Sequence, residues 1–192
     1  MRTASEILRS ALEEALVTLQ GVARHDSQIA QAADLITDCF RQGKKLLVCG
    51  NGGSAADAAD FCTEFACRFD KDRRPYPAMN LAQGGSLITA TGNDYGFVEI
   101  FARQVRAFGI SGDLLIAIST SGNSKNIQRA LEEGKSRGLK TIALLGRDGG
   151  SSKNIADIDI LVTGTSTARI QEAHKFVLHV LCEVCEAGLA KS

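Results

Sequence analysis

The apolar residues at the start of the chain recur at helical spacing. Over residues 3–20 they fall three or four positions apart, which predicts an amphipathic helix. A second helix is predicted from Asp26 to Gln42, and Gly43 ends it. The first helix carries its apolar side chains in one stripe, which comprises Ile7, Leu8, Ala11, Leu12, Ala15, Leu16 and Leu19.

From residue 44 onward the pattern changes to short continuous apolar runs, which are typical of strands buried on both faces. Strands are predicted at 44–49, 77–81, 113–118, 140–145 and within 155–162. Helices are predicted from 55 onward and at 97–108, 125–137 and 167–189. Alternating strands and helices imply parallel pairing through right-handed crossovers. The expected fold is therefore α/β, a three-layer α/β sandwich with a central parallel sheet (flavodoxin-like) and the two N-terminal helices packed outside it.

Length and composition narrow the class of protein. The 192 residues suit a single domain, 1–192, in which we expect 1–42 to serve oligomerisation and 43–192 to form the α/β core. Basic and acidic residues both number 22, so no net charge favours nucleic acid or a membrane surface as a partner. No apolar run is long enough to span a membrane, and the charged N-terminus does not resemble a signal peptide. Most of the six cysteines lie in apolar stretches, where we expect buried free thiols of a cytoplasmic protein.

Two of the predicted strands end in turns of small residues that precede a helix. The first turn runs Gly50, Asn51, Gly52, Gly53 and Ser54, and the second carries the hydroxyls of Ser119, Thr120, Ser121 and Ser124. Backbone amides at the start of a helix bind anions. Hydroxyls and amides without a lysine suit a phosphate monoester that stays on its sugar, because a transferred phosphoryl group usually needs Lys or a metal. The alternative is that the hydroxyls only cap the helix.

The first turn also fits the relaxed dinucleotide-binding pattern G-x-G-x-x-A. The acidic residue expected about 20 positions further on would be Asp70. Asp70 lies in a charged stretch before the next strand begins, not at the end of that strand. A dinucleotide site therefore ranks well below a sugar-phosphate site.

Four segments of the chain resemble, in order and spacing, the signatures of the phosphoheptose isomerases, which belong to the sugar isomerase (SIS) family. The segments are 49–58, 92–96, 118–124 and 169–174 followed by His179, so the resemblance covers nearly the whole chain. It implies the SIS fold and a homotetramer with active sites between subunits. The activity it implies is isomerisation of D-sedoheptulose 7-phosphate to D-glycero-D-manno-heptose 7-phosphate, on the route to ADP-heptose for lipopolysaccharide or to related activated heptoses.

The resemblance also implies roles for particular residues. Glu64 would be the catalytic base and His179 its acid–base partner. Zinc would be bound by Asp60, Glu64, Gln171 and His179, although most relatives carry histidine where this chain has Asp60. A carboxylate can bind zinc, so Asp60 is either a ligand or a solvated helix residue. Substrate contacts would fall on Asn51, Gly52, Gly53, Ser54, Glu64, Asn93, Asp94, Ser119, Thr120, Ser121, Ser124 and Gln171.

The sequence separation of the implied ligands and catalytic residues limits which of them can act together in one chain. Asp60 and Glu64 share one helix face and repel each other unless a cation or a proton lies between them. Gln171 and His179 are eight residues apart, about 12 Å along a straight helix. Either Gln171 curls inward at the helix start, or the ligands come from different chains. Ser54 and Glu64 are ten residues apart, about 15 Å along a straight helix. A seven-carbon sugar with its phosphate at Ser54 would span part of this distance, and a Glu64 from a neighbouring subunit would remove it. His174 is the rival histidine, or a buried structural one.

Two other classes of function remain open from the sequence. Some relatives bind the bacterial replication initiator protein as tetrameric adaptors and lack the catalytic glutamate, so the presence of Glu64 favours an enzyme. SIS domains also serve as sugar-phosphate-binding regulatory domains. No appended DNA-binding segment is recognisable, which argues against that function.

Overall fold

The fold is organised around a parallel sheet. The computed structural model describes residues 1–190 of the chain. The last two residues of the expected domain 1–192 therefore lie outside the described residues. The helices are α1 (Ala4–Val22), α2 (Asp26–Arg41), α3 (Gly53–Ala66), α4 (Gly85–Tyr95), α5 (Ala102–Phe108), α6 (Lys125–Ser136) and α7 (Thr167–Leu189). The strands are β1 (Leu46–Gly50), β2 (Ala78–Asn80), β3 (Leu114–Ser119), β4 (Lys140–Gly146) and β5 (Ile158–Val162). Short 3-10 turns lie at Ala23–His25, Phe97–Glu99 and Gly150–Ser152.

The strands follow the order β2-β1-β3-β4-β5, and every pair is parallel. All residues of β1 and β3 are buried, as the continuous apolar runs predicted. Gly50 at the end of β1 pairs with Ile118 near the end of β3. The turns that follow these two strands therefore leave the same edge of the sheet side by side.

Alternate residues of each strand face different helical layers, which confirms the three-layer sandwich. Leu46 and Val48 pack with the layer of α2, α3 and α7, whereas Leu47 and Cys49 pack with α5 and α6. One expectation was wrong. The second N-terminal helix does not lie outside the sandwich, because Ile36 and Phe40 of α2 are buried in the first of these layers.

The segment between β2 and β3 also differs from its prediction. Helix α4 was not predicted, since Thr91 is the only buried residue among those described in it and no apolar period marks the segment. The helix predicted at 97–108 begins only at Ala102. Gly96 has a positive φ of 86°, and a 3-10 turn follows it. The buried side chains of Ile100 and Phe101 precede the α-helical part.

Two surface features bear on assembly and on the cysteines. Four large side chains of the stripe on α1 are uncovered, with the exposed fractions of Ile7, Leu8, Leu12 and Leu16 between 50% and 69%, whereas Leu19 packs against the core. All six cysteines lie within the described residues and are free, and only Cys67 is exposed. Over residues 1–190, none of the helices has the length and apolar character needed to cross a bilayer.

Candidate functional site

The two small-residue turns meet where the strand order reverses. β1 continues through α3 to β2 on one side, and β3 lies on the other side of β1. Ligands of open α/β sheets bind in the crevice at such a switch point, outside the carboxyl ends of the strands. Asn51 of the first turn and Asn126 of α6 exchange two hydrogen bonds, of 2.9 and 2.8 Å between their side-chain amides. The crevice is therefore braced across both turns.

Glycine at two positions shapes the first turn. Gly52 has a positive φ of 55°, a conformation that other residues adopt at a cost. A Cβ atom on Gly53 would lie 2.5 Å from Cδ of Gln171, so the Gln171 carboxamide rests directly on this glycine. Gly52 begins α3 without a side-chain cap, and Ser54 behind it is only 5% exposed. The turn therefore offers backbone amides and the Gln171 carboxamide to a ligand.

The hydroxyls of the second turn do not cap the helix that follows. Ser119 Oγ accepts the Gly122 amide at 3.1 Å, and Ser121 Oγ accepts the Asn123 amide at 3.2 Å. Ser124 precedes α6 but makes no side-chain capping bond, and its hydroxyl lies 3.5 Å from that of Ser119. The capping alternative is therefore wrong at this position. The side chains of Thr120, Ser121 and Ser124 remain partly accessible.

Helices α3 and α7 run side by side in the same direction, and their contacts keep a nearly constant sequence separation. Gln171 rests on Gly53, and one turn later Lys175 pairs with Asp57 at 3.1 Å and also with Asp60. Advancing both helices by seven residues from the Asp57–Lys175 pair brings Glu64 to the level of Cys182, three residues beyond His179, because both helices rise by about 1.5 Å per residue.

Contacts further along α7 agree with this register. Burial raises the pKa of Cys182 above its usual range, and the nearby Cys185 and Glu64 add to the shift, so Glu64 lies close to α7. The Glu64 carbonyl oxygen accepts a 2.6 Å hydrogen bond from Arg73. The ring of His179 lies 5.9 Å from that of Phe69, centroid to centroid. The two residues implied as catalytic thus lie on neighbouring helices.

The four zinc ligands implied by the resemblance do not form one cluster within a single chain. Gln171 and His179 lie two turns apart on α7, about 12 Å. The Asp60 carboxylate is paired with the Lys175 ammonium. Among residues 1–190 no group of three or more His, Cys, Asp and Glu side chains is arranged to hold a metal. The donor set of one chain therefore does not fit the expected zinc.

Two other expected substrate residues make no hydrogen bond to the turns within the described part of the chain. Asn93 and Asp94 are exposed at the carboxyl end of α4. Asn93 donates a 2.8 Å hydrogen bond to Asp94, and within the described part of the chain neither bonds to the two turns.

His174 is a buried structural residue in this chain. Its exposed fraction is 0%, and neither ring nitrogen has a hydrogen-bond partner among the described residues. Burial lowers the pKa of His174 to about 4, with the Leu145 backbone partly opposing the shift.

The sequence interpretation missed Asp57 and Lys175. A surface cavity of about 450 Å³ is lined by Asp57, Ala168, Gln171, Glu172 and Lys175. The spacing of Asp57, Asp60 and Glu64 was a usable signal, because three carboxylates three and four residues apart on one helix face require compensating charge. Lys175 lies four residues from both Gln171 and His179 and thus shares their face of α7.

Comparisons with known proteins point to one family. The SIS domain family model matches residues 12–146. A phosphoheptose isomerase from Geobacter sp. (strain M21) is 48% identical over 176 residues, 92% of this chain and 91% of the relative. The structure of phosphoheptose isomerase from Neisseria gonorrhoeae superposes with a TM-score of 0.90 at 38% identity, covering 96% of this chain and all of that one. The phosphoheptose isomerase from Francisella tularensis gives 0.93 at 38% identity, over 97% and 100%.

Proposed function

Because the chain belongs to the phosphoheptose isomerase family of SIS domain proteins, we propose that it converts D-sedoheptulose 7-phosphate to D-glycero-D-manno-heptose 7-phosphate. The observation that carries the proposal is the pairing of two features. One is the braced crevice between the two turns, and the other is the side-by-side packing of α3, which carries Glu64, and α7, which carries His179. This activity would supply ADP-heptose for lipopolysaccharide, or related activated heptoses, in the cytoplasm.

Phosphate recognition is assigned to the two turns. The amide groups at the start of α3 and α6 carry the positive end of each helix dipole, which attracts a phosphate dianion. The accessible hydroxyls of Thr120, Ser121 and Ser124 add hydrogen bonds without supplying a group for phosphoryl transfer. Such a site holds the phosphate as a handle while chemistry occurs at the other end of the sugar.

The isomerisation itself needs only proton transfers. Glu64 takes a proton from C1 of the ketose, which produces an enediol, and a proton is then delivered to C2 while the O2 and O1 protons redistribute. We assign the relay of the oxygen protons to His179. Oxidation at C1 and reduction at C2 balance within the sugar, so no electron acceptor is consumed.

Zinc remains a prediction from the resemblance, with Asp60, Glu64, Gln171 and His179 as its ligands. When bound, such an ion would polarise the sugar oxygens. Because the side chains of one chain do not fit that site, the proposed mechanism includes no step through the metal.

The proposal includes a homotetramer with active sites between subunits. Two observations support it. Large side chains of the apolar stripe on α1 are uncovered. Glu64 lies about 15 Å along α3 from the first turn, so a neighbouring subunit's Glu64 would complete a compact site.

Replacing both Leu12 and Leu16 by glutamate should dissociate the assembly, since each leucine contributes about 1.5–3 kcal/mol when it is buried. Light scattering measures the size, and Arg9→Glu, an exposed position outside the stripe, is the control. A double variant that keeps the wild-type mass would exclude α1 from the interface.

The catalytic assignment is tested by Glu64→Gln. The substitution keeps the size of the side chain but removes the base, so the isomerisation rate should fall by about 10²–10⁴-fold while the fold and phosphate binding persist. Proton NMR of the products from sedoheptulose 7-phosphate in heavy water should show deuterium at C2 for the wild type and no product for the variant. Near wild-type turnover would exclude Glu64 from the mechanism and favour a role as a non-enzymatic adaptor.

A further inference from the structure

Helix α3 presents three carboxylates on one face toward α7. Asp57, Asp60 and Glu64 are spaced by three and four residues, an arrangement that repels itself without a cation. In this chain the cation comes from the neighbouring helix. The ammonium of Lys175 donates to Asp57 Oδ1 at 3.1 Å and to the carboxylate of Asp60.

The Asp57–Lys175 pair is largely withdrawn from water. The side chains of Asp57 and Lys175 are 4% and 29% exposed, and Asp57 Oδ2 has no hydrogen-bond partner among residues 1–190. Burial raises the pKa of Asp57, and Lys175 opposes that shift. A buried carboxylate requires a cationic or hydrogen-bonding partner, and Lys175 is that partner for Asp57.

The Lys175 side chain also belongs to the lining of a surface cavity. Lys175 lines the 450 Å³ cavity with Gln171, whose carboxamide covers the first turn. The same cavity is lined by Asp57, the carboxylate that Lys175 neutralises. A divalent ion bound to Asp60 would have to displace Lys175 or lie beside its positive charge.

We propose that the ammonium of Lys175, anchored by Asp57 and Asp60, is the resident cation of this isomerase site and replaces a divalent metal at Asp60. It donates a hydrogen bond to the negative oxygen of the enediol intermediate and stays protonated throughout, so the proton balance of the reaction is unchanged. The catalytic part rests on the proposed isomerase function. The metal part does not, because it concerns only which cation the carboxylates hold.

Metal content of the wild-type protein is the first test. The full chain is incubated with excess zinc chloride, separated from free zinc by gel filtration, and analysed by inductively coupled plasma mass spectrometry. We expect substoichiometric zinc and an isomerase rate that EDTA leaves unchanged. One zinc per chain, with activity lost on chelation and restored by zinc, would overturn the proposal. A protein inactive with and without zinc would refute the isomerase function, while its zinc content would still decide which cation is resident.

Substitution of the lysine is the second test. Lys175→Met frees both carboxylates, so zinc content should rise above that of the wild type, and loss of the donor should slow metal-free isomerisation about 10²-fold. Lys175→Arg keeps the charge and should retain low zinc content and part of the rate. Lys140→Met, an exposed lysine at the opposite edge of the sheet, is the control and should behave as wild type.

Two additional variants cover misfolding and the metal baseline. Asp57→Asn with Lys175→Met removes both members of the buried pair, so it should fold even if Lys175→Met does not, and should show the same slow metal-free rate. Asp60→His with Lys175→Met restores the usual ligand types and should bind zinc. If Lys175→Met matches wild type in zinc content and rate, Lys175 is not the resident cation.

Discussion

Replacing His174 by leucine should remove much of the protein's sensitivity to mild acid. The imidazole is fully buried on α7, and burial lowers the pKa of His174 from 6.5 to about 4. His174 therefore binds a proton in the unfolded chain as the pH falls below about 6.5, whereas in the folded chain it stays neutral until the pH approaches 4. Neither ring nitrogen makes a hydrogen bond of standard geometry among the described residues, so leucine gives up at most the weak contact with the Leu145 backbone.

The size of the effect follows from the shift. A pKa lowered by about 2.5 units corresponds to about 3 kcal/mol of unfolding free energy, at about 1.36 kcal/mol per unit. The sign is that of a base with a depressed pKa. Stability is complete above the unfolded pKa of 6.5 and falls as the pH drops toward 4. Between about pH 7 and pH 5 the loss from this residue is about 2 kcal/mol.

Urea unfolding followed by circular dichroism measures this loss at several pH values for the wild type and for His174→Leu. Other titrating groups, including Asp57 and Asp159 with raised pKa values, are common to both proteins and cancel in the comparison. We expect the wild type to lose about 2 kcal/mol more than the variant between about pH 7 and pH 5. Equal losses in the two proteins would refute the conclusion that the buried ring stays neutral.

Three further predictions concern the turns. Gly53→Ala places a methyl group against the Gln171 carboxamide, whose flexible end can move, so sugar-phosphate affinity in calorimetry should fall while urea stability changes by less than about 1 kcal/mol. In Gly146→Ala the new methyl group would clash with the backbone carbonyl of Thr120. Because this carbonyl cannot move freely, stability should fall by about 1–3 kcal/mol. Ser119→Ala with Ser121→Ala should weaken sugar-phosphate binding by about 1–3 kcal/mol, and unchanged affinity would place the phosphate elsewhere.

Secondary structure was predicted best from the sequence where buried residues form a continuous or periodic apolar pattern. Strands β1, β3 and β4 are buried on both faces, so their residues are almost all apolar and the runs are visible without a structure. Helix α7 carries ten buried residues at helical spacing, and its bounds 167–189 were predicted correctly. Helix α4 was missed for the same physical reason, because a helix that buries one of its eleven residues shows no apolar period.

The composition of the candidate site was likewise visible in the sequence. Turns of glycine and serine at the ends of apolar strands indicated an anion site, because helix starts in α/β folds expose backbone amides there. Whether the hydroxyls capped the helix was not decidable, since Ser124 has the right type and position for a cap. Only the coordinates show that it makes no capping bond.

What only the tertiary structure decided is which side chains meet across helices. Periodicity assigns a residue to a face of its own helix, but the partner of that face depends on the order of the strands that carry the helices. Lys175 and Asp60 are 115 positions apart in the chain and become neighbours because α3 and α7 pack side by side on one face of the sheet. The same packing sets Gln171 on Gly53. The sequence could therefore determine which charges α3 carries, whereas the cation that neutralises them was decided by the fold.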